Sequence, residues 1–230
     1  MYSEVFLDHY SQHIYRQSFC MQYSHSPAHR LCLITGAFIA WLAVGFQLYL
    51  ILLNSKTSVF ATLIQFFSFF TILTNILVAI AFTISLVKDS SLKIFFTRPQ
   101  TLTAIAVYIS VVGLVYNGVL RQLWQPQGLQ RVVDELLHLI VPILYFVYWL
   151  VFVPKNQLQW KDTFAWLLYP LGYTVYIIIR GAITDLYPYP FMDAGELGYT
   201  VVFFNSLMVL GVILFFSYLF IAIAKFKSRV

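Results

Sequence analysis

Residues Phe66–Ile80 read FFSFFTILTNILVAI. The run is apolar enough for a bilayer-spanning helix, yet it sets Thr71, Thr74 and Asn75 at its centre. Hydrocarbon offers these groups no water, so each needs a partner within the protein or a task there. Thr71 and Asn75 are four residues apart and Thr71 and Thr74 three, so all three share one helical face. Taken alone, the stretch favours a structural explanation. A mid-helix threonine bonds back to a carbonyl one turn earlier, here Phe67 for Thr71. Asparagine is a common link between helices in membrane bundles.

The rest of the chain supports a bilayer as solvent. Of 230 residues, 60% are hydrophobic and 10% charged, with mean hydropathy +0.79; soluble domains carry roughly 25% charged residues. The apolar residues fall into six blocks: Leu31–Leu53, Val59–Val87, Thr101–Val119, Val133–Val153, Thr163–Ile179 and Tyr199–Ala224. Open strands cannot satisfy their backbone in lipid, so the expected fold is all-α, a polytopic bundle of six transmembrane helices. Thr163–Ile179 is short for a full crossing, and the second block, at 29 residues, is expected to tilt or project beyond the bilayer. The domain reading is an interfacial segment 1–30, a six-helix domain 31–224 and a basic tail 225–230. With six spans, one side collects ten Lys and Arg against four on the other, which places both termini in the cytoplasm.

Several classes are set aside. The basic residues are scattered and form no nucleic-acid patch. Cys20 and Cys32 suggest neither a disulfide framework nor a metal site. The pairs His9/His13 and His25/His29 have helical spacing but no completing ligand, so no metal or cofactor is expected and a polar interfacial segment is the reading. HExxH, GxSxG and glycine-rich phosphate loops are absent. The opening MYSEVFLDHY has no basic region ahead of an apolar core, unlike a cleavable signal peptide. Gly36 and Ala40 form a small-xxx-small pair for helix packing.

His138 gives the opening stretch a different weight. It sits inside the fourth block with Asp134 four residues before it and Glu135 three before, both able to reach its face. Ionisable groups at membrane depth are rare and face interior cavities. Pro142 follows by four residues; it has no N–H for the His138 carbonyl and should bend the helix there. An imidazole is also the group a threonine hydroxyl needs nearby to lose its proton and attack a carbonyl. The structural alternative is a histidine bonded to a neighbouring helix. A third cluster, IIIRGAITDLYPYPF, holds Arg180, Asp185, Tyr187 and Tyr189. Arg180 offers a planar fork for a carboxylate, or pairs with Asp185 or Asp193; the YPYPF turn suits a rim or lid.

FFSFFTILTNILVA, HLIVPILYF and WLLYPLGYTVYIIIRG…YPYPF together resemble the bacterial Pr6Pr family of six-span membrane proteins. More distantly they are similar to the eukaryotic FAR-17a/androgen-induced family, over roughly the second to sixth helices. The resemblance implies an intramembrane threonine hydrolase acting on fatty acid esters of hydroxy fatty acids (FAHFA), and a bacterial inner membrane location. By position it implies Thr71 as nucleophile and His138 as base. On this reading Asn75 supports the developing oxyanion, Asp134 orients His138, and Arg180, Asp185, Tyr187 and Tyr189 bind substrate. Thr74 stays a rival nucleophile. The partners are then a lipid or fatty-acyl ester and membrane lipids. The alternative is a non-enzymatic protein that binds or carries a lipid or small amphiphile.

Overall fold

The computed structural model describes residues 26–87 and 90–227. The pair His9/His13, His25, Cys20 and the last residues of the basic tail lie outside them. Among the described residues the chain is helical, without strands. It forms α1 (Pro27–Asn54), α2 (Val59–Phe66), α3 (Phe70–Leu86), α4 (Ser91–Phe96), α5 (Pro99–Leu123), α6 (Gly128–Phe152), α7 (Asp162–Thr184) and α8 (Ala194–Lys227). Five of these, α1, α5, α6, α7 and α8, are long and apolar enough to cross a membrane, or six when the bent pair α2 and α3 is counted as one span. The protein is an all-α, multi-pass membrane bundle.

Local chemistry explains where these helices start and stop. Ser26 caps α1 by accepting the His29 amide, and Pro27 occupies the first turn, where a missing N–H costs nothing. Ser58 and Ser90 cap α2 and α4 in the same way. At the far end of α6, the Lys155 ammonium donates to the carbonyls of Trp149 (2.7 Å), Leu150 (3.1 Å) and Val153 (2.7 Å). It thereby closes carbonyls that the helix end leaves open and opposes the helix dipole.

Two expectations are corrected. The second block is not one long tilted helix: it breaks after Phe66 and restarts at Phe70, bent by 76°. Neither Gly nor Pro lies at the break. Ser68 is fully buried there, its hydroxyl donating to the Ile64 carbonyl at 2.6 Å. The Ser68 carbonyl accepts from Tyr173 at 2.8 Å, and Tyr176 lies 3.4 Å from its hydroxyl. α7 therefore holds the break open. The fifth block is also not short. α7 runs 23 residues, through Arg180 to Thr184, with Arg180 buried and donating through one guanidinium nitrogen to the Leu186 carbonyl just beyond the helix end.

α5 is the most enclosed span, with residues 102–109 all buried, as expected for a helix apolar on every face. Both hydroxyls there are satisfied: Thr103 bonds the Pro99 carbonyl and the Trp149 indole, and Tyr108 donates to the Trp166 carbonyl. α1 packs on α3 along Gly36, Ala40 and Ala43. A Cβ on Gly36 would stand 2.7 Å from the Phe82 ring. Gly36→Leu is expected to destabilise the bundle by about 1–3 kcal/mol, read as a lower melting temperature in detergent; an unchanged melt would contradict this packing.

Candidate functional site

Two π-helical turns face each other toward the end of the bundle where α5 connects to α6, Tyr116–Leu120 in α5 and Leu136–Ile140 in α6. The second is the answer of α6 to Pro142. The Val141 amide bonds the Leu136 carbonyl five residues back. The next amide would serve Leu137 in that register, or His138 in the α register, and residue 142 has none. So the helix widens by one turn in place of the expected sharp bend, and two carbonyls lose their partners. Both are recovered by asparagines. Asn75 Nδ2 donates to the Leu137 carbonyl at 3.2 Å and Asn117 Nδ2 to the His138 carbonyl at 3.0 Å. Each also donates to its own helix, to Thr71 (2.8 Å) and Gly113 (2.7 Å). Gly113 permits the approach: a Cβ there would lie 3.1 Å from the His138 carbonyl oxygen and from Pro142 Cβ.

This corrects the expected role of Asn75. Both hydrogens of its amide are already donated to carbonyls, so it has none left for an oxyanion. It is a clamp between α3 and α6, fully buried, with its own carbonyl oxygen unpartnered. Asn117→Leu, which strips the His138 carbonyl of its Asn117 donor, is expected to cost about 1–3 kcal/mol. Thermal unfolding measures it, and an isostable variant would remove the clamp from the account.

The clamp fixes the backbone at His138, and Asp134 fixes the ring. Nδ1 lies 2.9 Å from the Asp134 backbone oxygen and 3.4 Å from its carboxylate. A carbonyl oxygen only accepts, so Nδ1 carries the hydrogen in the neutral ring and Nε2 is the basic nitrogen. Nε2 has no hydrogen-bond partner among the described residues. The Tyr116 ring stacks on the imidazole at 3.8 Å between centroids, and its hydroxyl donates to the buried Asp134 carboxylate. Arg121 takes Glu135 as a bidentate pair, with both contacts at 2.7 Å, which leaves Asp134 to the tyrosine and the histidine.

His138 opens onto a cavity of about 390 Å³ that Thr71, Asp134, Tyr116, Gln47, Gln130 and Tyr189 also line. Behind Thr71 lies a second, narrower chamber with apolar walls, including Phe70, Val112, Met192, Val209 and Ile213. Thr71, Tyr116, Leu120 and Tyr189 belong to both spaces and form the wall between them. Thr71 stands there because the break puts it in the first turn of α3. No side chain caps that helix; the Thr71 amide instead points at the Tyr189 phenol, 3.5 Å away. Enclosure holds this phenol above its ordinary pKa. Thr74 turns away from both spaces. It is fully buried and its hydroxyl bonds Tyr169 at 3.2 Å.

Of the residues expected around Arg180, Tyr189 alone lines these two spaces. Arg180 is buried, donates to the Leu186 carbonyl at 2.7 Å and pairs with neither Asp185 nor Asp193. Asp185 ends α7 in the left-handed conformation, φ 54°, its amide on the Gly181 carbonyl at 2.8 Å. The Tyr187 ring lies on Gly181, where a Cβ would come within 1.9 Å of it. Together these three build the turn that suspends Tyr189 over Thr71. They are corrected from substrate contacts to supports of the loop. Tyr116 and Asn117 were missed by sequence reasoning; Gly113, four residues before Asn117, was the available sign of a close helix approach.

Compared with protein-family models, curated proteins and solved structures, the chain matches none.

Proposed function

We propose that this protein is an intramembrane hydrolase of lipid esters, with Thr71 as nucleophile and His138 as general base. The observation that carries the reading is a single cavity lined by both residues, in which Asp134 holds His138 with its basic nitrogen unoccupied. The apolar chamber behind Thr71 suits an acyl chain, which supports a fatty-acyl ester as substrate. His138 Nε2 takes the Thr71 proton as Oγ attacks the ester carbonyl carbon. The tetrahedral intermediate breaks its bond to the alcohol oxygen, which leaves with the proton from Nε2. Water then adds to the acyl-threonine, gives its proton to Nε2, and the fatty acid departs as Thr71 recovers the proton. A polar pocket bounded by Arg121, Gln125, Arg131 and Glu135 shares Tyr116 and Asp134 with the cavity, which supports entry of the hydrolytic water from this end.

The distribution of Lys and Arg favours cytoplasmic termini, and the sequence resemblance favours a bacterial inner membrane. The test is to quench the purified protein in acid during turnover of a long-chain ester and map the acylated peptide by mass spectrometry. An adduct on the peptide holding Thr71 is expected. A non-enzymatic lipid carrier would bind the same ester in the same cavity, leave it intact and yield no adduct.

A further inference from the structure

From the Tyr189 phenol beside Thr71, we infer that Tyr189 is the oxyanion donor of this site, working with the Thr71 backbone amide. The inference rests on the hydrolase reading above. Attack on an ester carbonyl places negative charge on its oxygen, and a hydrolase without a donor there loses most of its advantage. Asn75 has both hydrogens committed to the Thr71 and Leu137 carbonyls. Asn117 has its two on Gly113 and His138. Tyr116 gives its hydroxyl to Asp134. That leaves Tyr189 among the hydroxyl and amide groups that line the wall between the two spaces.

Its geometry is suited to the task. The Thr71 amide, in the first turn of α3, has no acceptor in its own helix and points at the phenol oxygen from 3.5 Å. At that length the contact is weak and easily exchanged. The phenol accepts this bond, and the Thr71 and Tyr173 side-chain oxygens also lie within its hydrogen-bonding reach, so its own hydrogen has only neutral acceptors to leave when charge builds beside it. A carbonyl oxygen arriving beside Thr71 takes the amide hydrogen in place of the phenol. The phenol then turns its own hydrogen to the same oxygen. No proton is transferred from Tyr189: it donates a hydrogen bond while charge builds and keeps its hydrogen when the intermediate collapses. Burial holds the phenol above its ordinary pKa, so it stays a donor at neutral and mildly alkaline pH. The YPYPF turn then has a reason to be stiff, with Pro188 and Pro190 on either side of the donor.

The experiment compares wild type and Tyr189→Phe, purified in detergent, on one long-chain ester. Tyr189→Phe is expected to lower kcat by about 10²–10³-fold, with KM changed less than about threefold and melting unchanged. A kcat within threefold of wild type overturns the oxyanion role while the hydrolase stands. A raised KM at unchanged kcat overturns it as well, because that pattern marks a ground-state contact. Loss of melting stability alongside kcat moves the comparison to Tyr189→Trp, whose indole N–H restores a donor; no recovery over Tyr189→Phe overturns the role. Absence of turnover by wild type removes the hydrolase reading itself, and this role with it.

Discussion

Thr71→Ala is expected to lower ester turnover by about 10⁴-fold or more, leaving the fold intact. The hydroxyl lies at the wall between the two spaces and is only partly buried. Its loss therefore leaves no large core cavity, and the melting temperature should move by no more than a few degrees. Thr71→Ser keeps the nucleophilic oxygen and should retain measurable turnover, although the lost methyl frees the rotamer that β-branching fixes. Thr74→Ala separates the two threonines. Its hydroxyl is bound to Tyr169 in a fully buried position, so the change should lower stability and leave turnover per folded molecule near wild type. The reverse pattern, with Thr74→Ala inactive and Thr71→Ala active, would transfer the nucleophile.

The second large effect is at His138. His138→Gln is expected to cost about 10⁴-fold in kcat, since the amide fills the ring's place but cannot take a proton at neutral pH. Asp134→Asn should cost less than this but in the same direction. The carboxylate accepts from Tyr116 and faces Nδ1 at 3.4 Å; its backbone oxygen, which the substitution keeps, still accepts from Nδ1 at 2.9 Å. The tautomer therefore survives, while the imidazolium formed during attack loses its counter-charge. Equal turnover in His138→Gln and wild type would contradict a general base at this position. Because effects at residues that act as one unit do not add, the double variant Thr71→Ala/His138→Gln should be no slower than the worse single variant.

Much of the bundle was legible from hydropathy, because every span must bury its backbone and show apolar side chains to lipid. The pairing of His138 with Asp134 was also legible, as helical spacing puts i and i+4 together. The break at residues 67–69 was not. FFSFF has no Gly or Pro, and what holds it open is distant in sequence: Tyr173 on the Ser68 carbonyl. A straight helix would have carried Thr71 about 18 Å from Val59; the 76° bend instead makes it the first turn of a new helix. Pro142 announced a disturbed α6. Its outcome, one π turn with Asn75 and Asn117 on the two orphaned carbonyls, depended on helices hundreds of atoms away in the chain. Arg180 misled for a related reason. A guanidinium in sequence shows its charge, not its neighbours, and here its partner is the Leu186 carbonyl.

The central claim is that Thr71 is a nucleophile activated by His138, and a fluorophosphonate probe tests it most directly. Such probes phosphonylate an activated hydroxyl and need no knowledge of the natural ester. Wild-type protein should become labelled, with the adduct mapped by mass spectrometry to the Thr71 hydroxyl, while Thr71→Ala and His138→Gln stay unlabelled. Equal labelling of wild type and Thr71→Ala, or no labelling of folded wild type, would contradict it.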